Sequence, residues 1–541
     1  AGPADKARAW SGRARPRRNF AKAQARNARR SGNPRQRPPP RDRAADPYAS
    51  EPDRTPLELR VDSFATGGAG VARAADGAVV FVTGALPGEL VRVTITEVRR
   101  DFRRGHVMEI VEPAAGRIEA PCEFVADGCG GCGWQHLELP LQRASKREMV
   151  HSAWRRAWRG DAPDLPEVGL VELPEWGFRT TVRAGVGSDG SLGLRAERSH
   201  DVVPVGPCLV AHPQIEALLG TVRLPGATET TLRVGGASGE RLVVVHHDRD
   251  AGVADQTGWV VPADVALVAG PSHASREGAR RSAEPPRRWV TERVSGREWR
   301  VSAHSFFQSR ADGAQSVVDV ARSLLAGFVP EAGGRLVDLY AGVGVIGGSL
   351  VAGDAALAGD WRLTAVERSG PSTHDARRNL RGVADRVVFS PVEDWRAHRA
   401  DVVVADPARA GLGRGGVATV AATRSPVLVL VSCDLAAWAR DAVLLAEQHY
   451  HLDALSVIDM FPHTPHVEVV SRFVRRSRRE ARAARRAELA AAHVEADVLP
   501  DAGNPDAGTP DAGNPDSGNP DSRGPGSRGP GSRGPEHVPV D

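Results

Sequence analysis

Five cysteines occur in 541 residues, and their spacing divides them between two kinds of chemistry. Three lie close together in "PCEFVADGCGGCGWQHLELP", where Cys122, Cys129 and Cys132 give C-x6-C-x2-C, and Cys208 of "VPVGPCLVAHP" is the only other one before the C-terminal half. Glycines 128, 130, 131 and 133 let that loop wrap closely around a bound centre, because a residue without Cβ permits close backbone approach. Thiolate ligation is the economical reading of such a group. Four thiolates suit a tetrahedral zinc ion as well as an iron–sulfur cluster, and spacing leaves both open. The fifth, Cys433, stands apart in "VLVLVSCDLAAWARD", at the end of an aliphatic run and just before a helical pattern. A cysteine closing a strand is more often a small buried hydrophobe than a nucleophile. What favours chemistry is its company: "DMFPHTPHVEVVS" brings Asp459, His463, His466 and Glu468 to the same edge. A thiolate and a carboxylate at one edge suit addition to an electron-poor ring followed by proton removal.

The elements that must hold these groups are legible over 301–473. Apolar strands ("RLVDLY", "RLTAVE", "RVVFS", "DVVVAD", "VLVLVS") alternate with helical patterns from about Val345, from Ser372, after Gly413 and from Leu435. They are followed by "LDALSVIDMF" and "HVEVVSRF", which read as a hairpin. This is the pattern of a doubly wound sheet, whose ligands sit beyond the carboxyl ends of the strands. After the first strand, Gly342, Gly344 and Gly347 spell G-x-G-x-x-G, and Glu367 ends the second strand twenty residues beyond Gly347. That acid is placed to accept hydrogen bonds from ribose hydroxyls, and the glycines fit a dinucleotide as well as an adenosyl cofactor. The fourth strand ends in "ADPARAGLG", whose Asp406 could hold a ligand or cap the next helix.

The rest of the chain reads as a multidomain α/β protein with unlike ends. Residues 1–50 carry fourteen Lys/Arg against three Asp, an arm that suits a polyanion or a solvated tail. From about Pro500 the "DAGNPDAGTP" and "RGPGS" repeats bury too little surface to fold. Residues 475–496 read as a solvated basic helix. Residues 57–113 alternate β-rich segments with Gly, Asp and Pro turns, a small barrel pattern, and Arg92, Arg99, Arg100, Arg103 and Arg104 form a basic cluster on it. The segment 141–300 is mixed, with a helix over Leu141 to Trp158 and with Arg179, Arg183, Arg195 and Arg198 as candidate phosphate contacts. No apolar run approaches the roughly 18 residues of a membrane span, and no signal-peptide core is present, so a cytoplasmic protein is expected.

The motifs taken together resemble one family. "GGAGVAR" and "VVFVTGALPGE" are similar to a TRAM barrel; the C-x6-CGGC-x2-QH loop is similar to an iron–sulfur loop; "SFFQ", "DLYAGVG", "DPARAGL", "VSC" and "DMFPHTPHVE" resemble, in order, the motifs of S-adenosylmethionine-dependent RNA uracil-5-methyltransferases, in their 23S rRNA branch. The resemblance covers about 56–473. It implies, between ends read from composition as a disordered basic arm (1–54) and a basic helix with a low-complexity disordered tail (475–541), three segments: a TRAM OB-like barrel (55–114), a central α+β domain with the cluster loop (115–300) and a doubly wound Rossmann-like class I methyltransferase domain (301–474). It implies a [4Fe-4S] cluster on Cys122, Cys129, Cys132 and Cys208, and S-adenosylmethionine held by Gln308, Tyr340, Gly342, Gly344, Glu367 and Asp406. Cys433 would add to uracil C6, and Glu468 would remove the C5 proton. The expected partner is RNA, a 23S rRNA or tRNA loop uridine, with neither DNA nor membrane, and the expected state is a monomer. Departures are Asp434 and Leu435 where the family has Asn-Pro, Ala408 where it has a second proline, and Arg310 where Asn is common. Asp434 is expected to raise the thiol pKa of Cys433. A catalytically weakened RNA-binding relative is therefore the second reading, and a nicotinamide-dependent oxidoreductase resting on the glycine motif and Glu367 the third.

Overall fold

The computed structural model describes residues 55–158, 162–197, 199–246, 256–269, 288–354 and 356–476. The basic arm, the expected helix beyond Arg476, the terminal repeats and Arg198 lie outside them. No helix among the described residues is long and apolar enough to cross a membrane.

Strands β1 (Leu57–Phe64), β2 (Gly70–Arg73), β3 (Val79–Thr83), β4 (Leu90–Val98) and β5 (Phe102–Glu112) close into a barrel in the order β1-β2-β3-β5-β4. Period-two alternation explains the closure: β3 and β4 turn Val80, Val82, Val91, Val93 and Ile95 inward. The outward arginines are largely compensated. Arg92 pairs with Glu109 and Glu58, Arg99 and Arg104 with Glu97, and Arg103 with Asp76. The expected basic patch is therefore a mixed-charge face.

Helix α1 (Leu139–Ala157) and strand β6 (Val168–Val171) follow. Strands β7 (Thr181–Val186), β8 (Leu192–Arg195), β9 (Val202–Pro204), β10 (Glu229–Val234), β11 (Arg241–His246) and β12 (Ala266–Ala269) make a second sheet, with helix α2 (Pro213–Thr221) packed on it through Ile215, Leu218 and Leu219. A hairpin, β13 (Trp289–Val294) and β14 (Arg297–Ser302), leads to helix α3 (Ala311–Leu325).

The largest sheet comprises β15 (Gly333–Leu339), β16 (Asp360–Glu367), β17 (Ala384–Phe389), β18 (Val402–Ala405), β19 (Val427–Ser432), β20 (Tyr450–Ile458) and β21 (Glu468–Arg475). Helices α4 (Val345–Val351), α5 (Gly370–Asn379), α6 (Gly413–Thr423) and α7 (Leu435–Glu447) connect them. The order is β17-β16-β15-β18-β19-β21-β20-β6, with β15 to β19 parallel and β21 antiparallel to β19. Every residue of β18 and β19 is buried, as a parallel sheet covered on both faces requires. The chain winds one way from β15 through β16 to β17 and then returns to β18. That reversal opens a crevice above the carboxyl ends of β15 and β18.

Two boundaries differ from the sequence reading. The break expected between 300 and 301 falls inside β14. The expected central segment also divides: β6 extends the large sheet beside β20, and α1 packs on α7, with the Trp154 and Trp438 rings 5.6 Å apart. A four-residue strand carries too little pattern to reveal its partner.

Candidate active site

The crevice at the strand reversal holds a pocket lined by Gln308, Asp338, Tyr340, Gly342 and Asp406 together with Phe306 and Phe307. The turn from β15 into α4 needs its glycines. Gly344 has φ +93, and a Cβ there would lie 2.7 Å from Leu380; a Cβ on Gly347 would lie 2.7 Å from Asp338 Oδ2. The loop is braced by two acids. Gly347 N–H donates to Asp338 Oδ2 at 2.9 Å, and Gly342 N–H donates to Glu367 Oε2 at 2.9 Å. Glu367 Oε1 accepts from Ser369 N–H at 2.5 Å. Glu367 thus anchors the glycine turn, and the remaining lone pairs of a carboxylate stay free for a ligand. Tyr340 sits in the left-handed region at φ +60, with its hydroxyl donating to Glu393 at 3.3 Å. Burial first, then Glu393, pushes its phenol pKa up.

Sequence reasoning missed Asp338, although it lies in "DLYAG". It is 1% exposed, its Oδ1 has no hydrogen-bond partner, and burial lifts its pKa to about 7, assisted by the charges of Asp406 and Glu367. Asp375 on α5 was also missed, and no local pattern marks it. This buried carboxylate accepts from Arg300 Nε (3.0 Å), Ser302 N–H (2.7 Å), Ser302 Oγ (2.7 Å) and Ser305 Oγ (2.6 Å). It therefore ties the "SFFQ" wall to the helix that follows Glu367.

Cys433 and Glu468 meet at the adjoining rim. Strand β19 pairs Ser432 with Val469 of β21, so one residue further along the antiparallel register Cys433 comes beside Glu468. Burial pushes the Cys433 thiol up to about 11, with Glu468 and Asp406 adding to the rise and Arg409 opposing it. Glu468 is 3% exposed; burial, then Asp406, holds its carboxyl well above the usual range. Asp406, at the end of β18, is lifted to about 7 by its enclosure. Two acids and a thiol crowded this way cannot all ionise together.

The suspected effect of Asp434 on the thiol takes another form. Its Oδ1 accepts from Ala437 N–H at 2.8 Å and caps α7, a role that Asp and Asn fill about equally well. The leading charges on Cys433 are Glu468, Asp406 and Arg409. Ala408 is likewise accommodated. The loop after Asp406 is held by Asp441 of α7, which accepts from Leu412 N–H (2.6 Å) and Gly413 N–H (3.1 Å), and by Arg440 donating to Ala410 O (2.6 Å). Arg310 is a buried strut, paired with Asp312 and donating to Met460 O (3.1 Å) and Pro174 O (3.0 Å). His463 and Asp459 are built into the segment leading to Glu468, and His466 stands edge-on to Phe461 with ring centroids 6.2 Å apart.

Cys122, Cys129, Cys132 and Cys208 line one separate pocket, with Phe124, Gln135 and Val210 among its walls. The loop is pinned to β8, where Gly130 N–H donates to Arg195 O at 3.0 Å. Burial raises the thiols of Cys129, Cys132 and Cys208, that of Cys132 to about 11, and the charge of Arg179 opposes each rise. Arg179, a candidate phosphate contact, thus lies by these cysteines, with its guanidinium 5.8 Å from the Phe461 ring centroid. Among the described residues no group of three or more His, Cys, Asp or Glu side chains is placed to hold a metal ion.

Residues 54–108 match the TRAM domain family model. The chain is 33% identical over 449 residues to an uncharacterised RNA methyltransferase of Streptomyces coelicolor, covering 76% of this chain and 92% of that one. It is 33% identical over 434 residues to the 23S rRNA (uracil(1939)-C(5))-methyltransferase of Halomonas elongata, covering 76% and 88%. Among solved structures, the Pyrococcus abyssi tRNA (uracil-54, C5)-methyltransferase in complex with S-adenosyl-L-homocysteine superposes with a TM-score of 0.56 at 22% identity, covering 77% of this chain and 99% of that one.

Proposed function

Because this chain belongs to the RNA uracil-5-methyltransferase family, we propose that it transfers the methyl group of S-adenosylmethionine to C5 of a uridine in RNA, with 23S rRNA as the substrate. The observation that carries this reading is the placement of Cys433 beside Glu468, one residue beyond the Ser432–Val469 pair of β19 and β21, with Asp406 of the adjoining cavity close enough to act on the thiol. In it, Gln308, Tyr340, Gly342, Gly344, Glu367 and Asp406 hold the methyl donor.

Uracil C5 is too weak a carbon nucleophile to take a methyl group unaided. In the proposed reaction the Cys433 thiolate forms a bond to C6, and the displaced electron pair gives C5 enolate character. C5 then takes the methyl from sulfonium, which leaves as S-adenosylhomocysteine. Glu468 accepts the C5 proton, the Sγ–C6 bond breaks, and its electron pair returns to sulfur. Both reacting carbons must be held in near-attack contact, and the base must leave its stack to reach the crevice, so an unpaired loop uridine is the substrate.

The residues around the second cavity fit the [4Fe-4S] cluster that the family resemblance implies. The donor set is all thiol, four cysteines lining one pocket, which is the ligand chemistry of an iron–sulfur cluster. Cys122, Cys129, Cys132 and Cys208 would hold it. When bound, it would fix the loop to the neighbouring sheet.

The test incubates the chain with 5-fluorouridine-containing RNA and labelled S-adenosylmethionine. Fluorine at C5 leaves no proton to remove, so a covalent protein–RNA species carrying label is expected, and none with Cys433→Ala. Capture by a tRNA loop but not by a 23S rRNA fragment would reassign the substrate to tRNA; capture by neither would sink the reading. For the second cavity, anaerobic preparation should give brown protein with iron and sulfide, whereas colourless protein carrying zinc would overturn the cluster.

A further inference from the structure

The nine residues Asp459–Val467 connect β20 to β21 and end on Glu468, whose backbone forms the last pair of that hairpin, opposite Ile458. A connection of this length is long for a hairpin, and left to itself it would fray and take the terminal pair with it. It is held instead from outside the sheet. His463 sits at φ +64, a conformation that costs a non-glycine residue energy and persists only where its surroundings impose it. Here they do. His463 N–H donates to Gln142 Oε1 at 2.7 Å, and His463 O accepts from Trp134 N–H at 2.8 Å. The imidazole stacks on Trp176 with centroids 4.1 Å apart, and its Nε2 lies 3.3 Å from Glu175. Gln142 is itself fixed, its Nε2 donating to Leu137 O at 2.7 Å and Trp134 O at 3.1 Å. One turn further along α1, fully buried Lys146 donates to Asp459 Oδ1 at 2.6 Å and to Phe461 O at 2.9 Å.

We propose that Gln142 and His463 are positioning residues for the reaction: they lock the Asp459–Val467 connection against α1 and the cysteine loop, and thereby fix where the Glu468 carboxylate meets the C5 proton. Neither touches the reacting atoms. Their effect falls on one step, because Glu468 is needed only after methyl transfer, when it takes the C5 proton and the Sγ–C6 bond breaks. The inference rests on the reaction proposed above.

The experiment uses the full chain and an RNA that the unaltered protein methylates, and compares Gln142→Leu, His463→Asn and His463→Val. With ordinary uridine, Gln142→Leu should slow turnover by at least about tenfold, within the range that a displaced general base costs, and a covalent Cys433–RNA species carrying the transferred methyl should accumulate. With 5-fluorouridine RNA, which has no proton to remove, capture should stay within about twofold of the unaltered protein, because the early steps do not use the base. His463→Asn should be milder than His463→Val, since Asn enters the left-handed region and a β-branched residue resists it. Failure of the unaltered protein to capture 5-fluorouridine RNA would count against the proposed reaction, not this inference. The positioning role is overturned if Gln142→Leu slows capture as much as turnover, if turnover is unchanged, or if Val and Asn at 463 behave alike.

Discussion

Cys433 is proposed as a nucleophile, yet it sits where its thiolate is disfavoured. Burial lifts the thiol to about 11, and Glu468 and Asp406 add to it. At neutral pH the protonated form therefore dominates, and each unit of pH below the pKa costs about tenfold in thiolate. Peptide-resolved alkylation of Cys433 without RNA should accordingly be slow at pH 7 and climb about tenfold per unit to pH 9. In Asp406→Asn one of the charges raising the pKa is gone, so the climb should begin at lower pH. A rate that is flat from pH 7 to 9 would show the thiolate already formed. Asp434 illustrates how far a sequence reaches at this scale. Adjacency to Cys433 is visible in "SCDL", but the direction of its carboxylate is not, and it turns into the first turn of α7. Asp434→Asn should therefore leave capture of 5-fluorouridine RNA unchanged. Asp434→Ala should lower stability by about 1 kcal/mol in denaturant unfolding, the usual cost of a lost cap. A large gain in capture with Asp434→Asn would restore the carboxylate as a brake.

The elements that carry chemistry are the ones whose patterns are strongest. The fully buried strands β18 and β19 and the buried ends of β15 and β16 appear in the sequence as aliphatic runs, and the glycine turn and Asp406 fall at strand ends, so the parallel sheet and its rim were legible. The cross-links between elements were not, since they join residues remote in sequence. Asp375 is an example: nothing around "STHDARRN" marks it, yet it accepts four hydrogen bonds from Arg300, Ser302 and Ser305. Four positions along α5, Asn379 binds Arg300 on β14 and donates to Val343 O in the glycine turn at 3.0 Å. Helix α5 thus clasps both walls of the proposed donor cavity. Asp375→Ala frees the "SFFQ" wall, leaves two serine hydroxyls and an arginine without their acceptor, and should weaken S-adenosylhomocysteine binding by about tenfold or more, each lost charged hydrogen bond being worth about 1.5–3 kcal/mol. Calorimetric titration checks it. Unchanged affinity in a folded variant would mean that Gln308 and the phenylalanines are placed without the clasp. The barrel arginines taught the converse lesson: their number was legible, but their acidic partners on neighbouring strands were not.

At the scale of the molecule, the barrel, the cysteine loop and the large sheet converge on a few residues near Glu468. Gly68, in the turn between β1 and β2, has φ +85, and a Cβ there would lie 2.5 Å from Pro465 Cβ and 3.0 Å from Trp134 Nε1. Trp134 Nε1 donates to Gly68 O at 3.0 Å, its ring lies 4.7 Å from Phe64, and its backbone N–H holds His463. The barrel therefore rests directly on the connection that ends at the proposed base, and this contact requires the absence of a side chain. Gly68→Val would strain the backbone and push Pro465 away. The donor cavity, bounded by α4, β15 and the "SFFQ" wall, has no residue in that contact. The expected outcome is a split: S-adenosylhomocysteine affinity unchanged within about twofold, and RNA methylation lowered by at least about tenfold, since small displacements of a catalytic group cost rates of that order. Gly68→Ala should lie between. Equal losses of donor binding and methylation would mean the substitution unfolds the sheet, and full methylation would mean the barrel binds RNA without bearing on the catalytic end of the protein.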